Sequence, residues 1–125
     1  ADFTPEMTSD KKIKRGKDDL VLHLKPTEDI AASLGKLKGK EQKLVGFALE
    51  TDDEVAHAQD KLARKNFDYI VLNSLRDKGA GFRCDTNKIT IIDRQGATSY
   101  PLKDKREVAQ DIVDKLVSLF NRPND

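Results

Sequence analysis

Apolar and polar residues follow one another along the chain in a pattern that predicts strands alternating with helices. Residues 20–24 have the every-second-position apolar spacing of a strand. A helix should follow, with Thr27 as its N-cap and apolar side chains at helical spacing over residues 30–37. The acidic residues Glu28 and Asp29 suit the positive end of that helix's dipole.

The middle of the chain predicts a strand–helix–strand unit. Residues 43–49 are almost entirely apolar, which is typical of a strand buried on both faces. Thr51 and Glu54 fit a capping box that opens a helix running to about Lys65. Residues 67–73 are the next apolar run, so we expect the two strands to be parallel and joined by a right-handed crossover.

The last third of the chain predicts a β-hairpin followed by a long helix. Residues 88–93 and 98–102 are strand-like and flank a turn that contains Gly96. Asp104 and Glu107 form a second capping pair, in front of a helix with a continuous apolar stripe. That stripe should pack on a sheet.

These elements together predict a three-layer, Rossmann-like α/β domain with a mostly parallel sheet and an antiparallel hairpin at one edge. In open sheets of this kind, ligands bind beyond the carboxyl ends of the parallel strands. Residues 47–50 and 73–74 should form that rim. The chain contains no Gly-rich strand-to-helix turn of the dinucleotide-binding type, so we expect no phosphate-binding loop of that kind within it.

Composition narrows the classes of function. The 125 residues include 23 Lys and Arg against 22 Asp and Glu, which gives a net charge of +1. This near balance argues against a general nucleic-acid binder, whose affinity depends on excess positive charge. No apolar run approaches the ~18 residues that a membrane span needs. A single cysteine, Cys84, fits a reducing compartment, so we expect a cytoplasmic protein.

Two groups of basic residues are candidates for binding an anion. Residues 11–17 are mostly Lys and Arg, while Lys61 and Lys65 lie one turn apart on a predicted helix. Taken singly, each group is better explained as solvent-exposed surface. His23 and His57 lack metal-ligand spacing. The residues alone therefore predict an α/β domain with basic patches that could bind an anion.

Seven short segments carry motifs that occur in one order along the chain. With the family motif that each one resembles in parentheses, they are 1–3 (AVAD followed by an aromatic residue), 12–15 (KIKK), 27–30 (NPDI), 45–51 (VGFAAET), 61–66 (KLxRKN), 68–73 (DxIVAND) and 81–87 (GFxSDxN). Together they resemble phosphopantothenate–cysteine ligase, the ligase domain of bacterial coenzyme A biosynthesis. This domain, of the DNA/pantothenate metabolism flavoprotein family, is often fused to a flavin-dependent decarboxylase.

The resemblance implies a ligase that uses CTP and Mg²⁺. In the family, the phosphopantothenate carboxylate becomes an acyl-cytidylate, and the amine of cysteine then displaces CMP. The resemblance also implies a homodimer, for which the hairpin edge could supply the contact, and it assigns FMN to the fused decarboxylase rather than to this chain. Residues 1–125 would then be the C-terminal portion of one ligase domain, without its Gly-rich N-terminal half, so we expect the chain alone to be incomplete as a catalyst.

The same resemblance assigns roles to individual residues. Lys12 matches the family's catalytic lysine, which stabilises phosphate or carbonyl charge. Asp2 matches a residue at the nucleotide and metal site, while Asn73, Gly81 and Phe82 would serve the dimer or a lid. Three matched lysines make an anion site the better joint interpretation of the basic residues. The nucleotide-binding matches are Asp2, Glu28, Asp29, Ile30, Ala31, Phe47, Lys61 and Lys65.

The chain departs from the family pattern at three points. Thr27 and Glu28 replace the usual Asn-Pro, Leu72 replaces an alanine, and Ser74 replaces an aspartate. These changes leave open a second interpretation, a non-catalytic nucleotide-binding or dimerisation module of the same fold. A nucleic-acid binder that uses residues 11–17 is a third, and the near-zero net charge opposes it.

Overall fold

The computed structural model describes residues 1–51, 53–74, 79 and 83–122. The chain divides into two compact units, Ala1–Ile30 and Ala31–Asp125. The elements, in chain order, are β1 (Phe3–Pro5), β2 (Leu24–Pro26), α1 (Ile30–Leu37), β3 (Val45–Glu50), α2 (Glu54–Arg64), β4 (Tyr69–Ser74), β5 (Thr86–Asn87), β6 (Ile89–Asp93), β7 (Gly96–Ser99), β8 (Lys103–Asp104) and α3 (Lys105–Phe120). No helix in these described ranges is long and apolar enough to cross a membrane.

The first unit is built on a short antiparallel ladder between β1 and β2, in which Thr4 lies opposite Lys25. The predicted strand over residues 20–24 is wrong, because Leu24 alone of those residues belongs to β2. The ladder ends at the pair Pro5–Leu24, because β1 has only three residues. Leu20, Val21 and Leu22 consequently keep about two-thirds of their surface exposed (67%, 68% and 65%).

Helix α1 begins three residues later than the predicted cap. Thr27 is not its N-cap, because the Thr27 hydroxyl donates to the carbonyl oxygen of Ala1 at 2.7 Å. Within the second unit, α1 packs closely against the end of α2 at Gly35, which is buried. A Cβ at Gly35 would lie 1.9 Å from the Lys65 carbonyl oxygen, so this contact requires glycine.

The second unit has a four-stranded sheet with the order β3-β4-β6-β7 and a separate antiparallel pair, β5–β8. β3 and β4 are parallel and joined through α2, as predicted. β4–β6 and β6–β7 are antiparallel, so among the described strands the prediction of a mostly parallel sheet is wrong. Between β6 and β7 the reason is local: only residues 94 and 95 join the two strands, whereas a parallel pair needs a crossover connection of about a dozen residues or more. The hairpin at one edge, β6–β7, is confirmed.

The core of the second unit consists of two clusters that use alternate residues of β4. Ile70 and Leu72 are buried with Leu62 of α2, whereas Tyr69 and Val71 are buried with residues of α3. Burial on both faces therefore holds for β4. It is wrong for β3: Gly46 and Ala48 are buried on one face, but Phe47 on the other face is 68% exposed, because the cluster that includes α3 packs on β4 and β6 and reaches β3 at Val45. The two clusters show the period-2 alternation of a central strand.

The two predicted helix caps have different outcomes. The N-cap of α2 is Asp53, which has a φ of 43° and makes no side-chain capping bond, so the box of Thr51 and Glu54 is wrong. Glu54 instead accepts a hydrogen bond from the Ser74 hydroxyl. At α3 the Asp104 carboxylate accepts from the backbone N–H of Arg106 at 2.8 Å, which confirms the capping role of Asp104.

Candidate functional site

The carboxyl ends of β3 and β4 meet at one edge of the sheet, where Glu50 lies beside Ser74 in the parallel register. Helix α2 starts four residues after the end of β3 and buries Ala58 and Leu62 in the core. His57 and Lys61, four residues apart, lie on the same face of α2. The local sequence thus brings a strand-terminal carboxylate close to two basic side chains.

Glu50 is the centre of this cluster. Its Oε1 atom accepts a hydrogen bond from Lys61 Nζ at 2.5 Å, and its Oε2 atom lies 3.6 Å from His57 Nδ1. The Glu50 side chain is 15% exposed, compared with 35% for Lys61 and 52% for His57. The carboxylate is therefore the inner member of the cluster, and the basic groups form its outer surface.

The charge on Glu50 is stabilised by its neighbours. The hydrogen bond from Lys61 is the largest influence and lowers the pKa of Glu50; the charges of Lys61 and His57 act in the same direction, against the effect of burial. A lowered pKa means that the Glu50 carboxylate is ionised at neutral pH. The Glu50–Lys61 contact is consequently an ion pair as well as a hydrogen bond.

Two further polar residues lie at the ends of these strands. Ser74 is buried and donates its hydroxyl to Glu54, the first residue of α2. Asn73, one residue earlier, has a buried Oδ1 atom without a hydrogen-bond partner among the described residues. This end of the sheet therefore also holds the Glu54 carboxylate, which is hydrogen-bonded to Ser74, and the buried amide oxygen of Asn73. Gly81 and Phe82, which the resemblance assigns together with Asn73 to the dimer or a lid, lie outside the described residues.

The structure distributes the predicted nucleotide-binding residues of the second unit over three elements. Lys61 lies in the Glu50 cluster, and Phe47 is an exposed side chain on β3. Lys65 is the C-cap of α2, one turn beyond Lys61, and its backbone N–H donates to the Lys61 carbonyl at 3.0 Å. Ala31 is half-buried and packs against the core, so it has a structural contact of its own.

The remaining predicted residues belong to the first unit. Asp2 accepts a backbone hydrogen bond from Thr27 at 2.9 Å through its carbonyl oxygen. Lys12 is exposed in the segment between β1 and β2, which contains neither helix nor strand. Glu28, Asp29 and Ile30 are exposed at the start of α1. The roles of all these residues stay predictions.

Glu50 and His57 are the members of the cluster for which the sequence analysis found no role. The available signal was weak: a carboxylate that ends a buried strand needs a cation, and the following helix carries His57 and Lys61 four residues apart. In the part of the chain that the structure describes, no group of three or more His, Cys, Asp or Glu side chains could hold a metal ion. The metal role of Asp2 likewise stays a prediction.

Comparison with known proteins identifies the relatives of this chain. A protein of an unspecified prokaryote, named Cysteine/Cysteine sulfinic acid decarboxylase, is 62% identical over 97% of the chain and 34% of its own length. The coenzyme A biosynthesis bifunctional protein CoaBC of Bacillus subtilis (strain 168) is 44% identical over 100% of the chain and 31% of its own length. The chain thus spans about a third of the length of these curated relatives.

Solved structures of related proteins have a similar fold. The C-terminal domain of a CoaBC protein is 34% identical, with a TM-score of 0.66 over 82% of this chain and 47% of that domain. The DNA/pantothenate metabolism flavoprotein from Streptococcus pneumoniae, 22% identical with a TM-score of 0.67, supports the fold alone. The sequence model of one protein family, the DNA/pantothenate metabolism flavoprotein C-terminal domain, matches residues 1–120. With nearly its whole length matched, the chain belongs to this family.

Proposed function

We propose that this chain supplies the second half of a CTP-dependent phosphopantothenate–cysteine ligase domain. The observation that carries the proposal is the 44% identity with the bifunctional CoaBC of B. subtilis over the full length of the chain. The clustering of Lys61 with Glu50 at the carboxyl ends of two parallel strands adds support, because ligands of open α/β sheets bind at this edge.

The proposed reaction has two steps that make a carboxylate reactive. A carboxylate oxygen of phosphopantothenate attacks the α-phosphorus of CTP, and pyrophosphate leaves. The cysteine amine then attacks the acyl carbon, and CMP leaves with the electron pair of the broken C–O bond while the amine loses its proton. Negative charge builds on the transferring phosphate and on the acyl oxygen, so fixed cations near these atoms lower both barriers.

The residues of this chain supply those cations in the proposal. Lys12 stabilises charge at the reacting phosphate or carbonyl, and Lys61 and Lys65 bind the triphosphate. Phe47, exposed on β3, offers an aromatic face to the nucleotide. Asp2, and the residues Glu28, Asp29, Ile30 and Ala31 at the start of α1, complete the nucleotide contacts.

Magnesium fits this donor set as a companion of the nucleotide. Mg²⁺ keeps several waters and binds through one or two carboxylates together with substrate phosphates. It therefore does not require the three-ligand cluster that is missing from the described residues. Asp2 is the carboxylate we assign to it, and the ion would supply charge neutralisation on the triphosphate.

We extend the proposal to the architecture. The complete domain would have a three-layer, Rossmann-like fold. It would form a homodimer and bind phosphopantothenate, cysteine and CTP. FMN would belong to the decarboxylase part of the longer relatives and not to this chain. In agreement with such layers, one buried cluster of the second unit includes residues of α2 and the other includes residues of α3.

One observation favours a second candidate, a non-catalytic nucleotide-binding or dimerisation module. The 62% identical relative is named for a decarboxylase, and the name mentions no ligase. A diverged module of this kind could bind nucleotide or pair subunits without forming an amide bond. The ligase candidate requires base-selective binding of CTP, which a diverged module need not retain.

Calorimetric titration of the chain with Mg²⁺–CTP, and with Mg²⁺–UTP as the control nucleotide, tests the proposal. We expect saturable binding that prefers CTP. Lys12→Gln should weaken this binding about tenfold through the loss of one charge-assisted contact, whereas Lys17→Gln, in the same basic segment, should change it less than about twofold. Equal binding of CTP and UTP, or no binding, would contradict the ligase half-site and favour the diverged module.

The expected incompleteness of the chain has its own test. CTP, phosphopantothenate and cysteine are incubated with the 125-residue chain, and phosphopantothenoylcysteine is measured by mass spectrometry. We expect no turnover above the uncatalysed background. Efficient product formation would show that the chain is a complete ligase and would refute the half-site proposal.

A further inference from the structure

The Glu50–Lys61 pair has the geometry of a support for a binding group. Glu50 is the last residue of β3, and the register with Ser74 of β4 anchors its backbone. Lys61, by contrast, ends a flexible four-carbon side chain on α2. The hydrogen bond of 2.5 Å between Lys61 Nζ and Glu50 Oε1 restricts that flexibility before any ligand arrives.

The pair leaves the ammonium available. A lysine ammonium carries three N–H donors, and Glu50 occupies one of them. The Glu50 side chain is the less exposed partner, at 15% against 35% for Lys61, so the cluster presents cation rather than carboxylate to solvent. His57 Nδ1, 3.6 Å from the other carboxylate oxygen, borders Glu50 on its second side.

We propose that Glu50 is a positioning residue that holds the Lys61 ammonium in place for the phosphate groups of an anionic ligand. This inference rests on the proposed function for the identity of that ligand, a nucleoside triphosphate. A pre-positioned lysine loses less side-chain entropy on binding than a free one, and this saving appears as affinity. Paired lysine and glutamate residues serve protein kinases in a comparable way.

The inference predicts that removing a negative charge from Glu50 weakens anion binding, which is the opposite of what simple electrostatics predicts. Glu50 carries a negative charge close to the proposed phosphate site, so simple electrostatics predicts that its neutralisation strengthens anion binding. Positioning predicts the opposite result, because Glu50→Gln releases the lysine. The direction of the change therefore separates the two effects.

The experiment measures dissociation constants of the 125-residue chain for Mg²⁺–CTP and for inorganic tripolyphosphate. We expect Glu50→Gln to weaken both about tenfold, the loss of one charge-assisted hydrogen bond. Asp60→Asn is the matched control: it removes the same charge at an exposed pair with Arg64 on α2, the helix that carries Lys61, and should change binding less than about twofold. In a Lys61→Gln background, Glu50→Gln should have no further effect.

A second measurement needs no ligand. The rate at which an amine-reactive acylating reagent modifies Lys61, followed by mass spectrometry, should rise when Glu50→Gln releases the amine. Equal rates in the two proteins would overturn the inference, as would unchanged or tighter binding of both probes by Glu50→Gln. Circular dichroism and urea unfolding of each variant separate these outcomes from a loss of fold.

Failure of the proposed function gives a different result. If wild-type protein binds tripolyphosphate as tightly as Mg²⁺–CTP and Glu50→Gln weakens both, the positioning role stands and the nucleotide assignment falls. If wild-type protein prefers CTP and Glu50→Gln leaves that affinity unchanged, the assignment stands and the positioning role falls. Binding of neither probe by the wild-type protein would overturn both.

Discussion

At the scale of single residues, Asp93 joins the hairpin to helix α3. Its Oδ1 atom accepts from the backbone N–H groups of Gln95 at 2.9 Å and Gly96 at 3.1 Å. Its Oδ2 atom accepts from Lys115 Nζ at 2.7 Å. Burial, the largest influence, raises the pKa of Asp93, but the hydrogen bonds from Lys115 and the two backbone groups outweigh it, so the net pKa is lowered.

Replacing Asp93 with Ala should lower the free energy of unfolding by about 2 kcal/mol at neutral pH, because Lys115 loses its partner in a largely buried position. The folded pKa lies below the unfolded one, so the stabilisation is present above about pH 4 and is lost as the pH falls through the folded pKa. Urea unfolding at a series of pH values should show the difference shrinking toward acid pH.

Asp114→Ala is the control for this prediction. Asp114 is exposed on α3, next to Lys115, and accepts a hydrogen bond from Gln110 at 2.8 Å, so we expect its loss to cost less than about 0.5 kcal/mol. A difference between Asp93→Ala and wild type that stays constant from neutral to acid pH would contradict the ionised, hydrogen-bonded state of Asp93.

At the scale of elements, α2 and α3 both begin after an aspartate, but the two aspartates act differently. Asp104 accepts a hydrogen bond from the Arg106 backbone N–H at 2.8 Å. Asp53 makes no capping bond and has a φ of 43°, in the left-handed region. The same residue type at the same helical position therefore stabilises one helix start and not the other.

Asp104→Ala should lower the free energy of unfolding by about 1 kcal/mol, the usual value of an N-cap hydrogen bond. Asp53→Asn should cost less than about 0.5 kcal/mol, since no capping bond is lost and Asn tolerates the left-handed φ as Asp does. Thermal and urea unfolding of the two variants measure the contrast. Equal losses in both proteins would show that the Asp104 contact contributes nothing beyond helix-start electrostatics.

Local sequence patterns predicted the elements best where the stabilising contacts join residues that are close in sequence. The apolar run over residues 67–73, the apolar stripe of α3 and the hairpin at Gly96 each became the expected element, although β7 begins at Gly96 itself, within the predicted turn. Thr27 shows the limit of such patterns. Its sequence context is that of an N-cap, yet a residue distant in sequence, Ala1, accepts its hydroxyl hydrogen bond. Propensity could not predict that competition.

At the scale of the whole molecule, strand direction and the partners of the site were the least predictable features. β6 runs antiparallel to β4, with Ile70 opposite Ile92, and the apolar runs that predicted these strands carry no information on their relative direction. Lys61 was a predicted phosphate ligand, but its pairing with Glu50 joins residues 11 apart through the turn between β3 and α2. The site at the carboxyl ends of β3 and β4 was predictable from topology, whereas the ion pair depends on the side-chain positions that the turn between β3 and α2 sets.

The two edges of the described four-stranded sheet differ in polarity. On β7, residues 97–99 are small or polar and exposed, while β3 exposes Phe47 (68%) and Leu49 (40%). An exposed apolar edge strand favours pairing with another chain, and lysine on such a strand opposes it. If the 125-residue chain forms the proposed homodimer by itself, β3 is therefore a better contact than the hairpin edge.

Sedimentation velocity over a range of concentrations should thus show self-association that Leu49→Lys weakens about tenfold. Leu102→Lys introduces the same charge at another exposed leucine, 49% accessible and outside the four-stranded sheet, and should leave the association constant unchanged. Thr98→Lys tests the hairpin edge in the same way. Weakening by Thr98→Lys and not by Leu49→Lys would assign the contact to β7, because a charge disrupts only the edge at which the two chains meet.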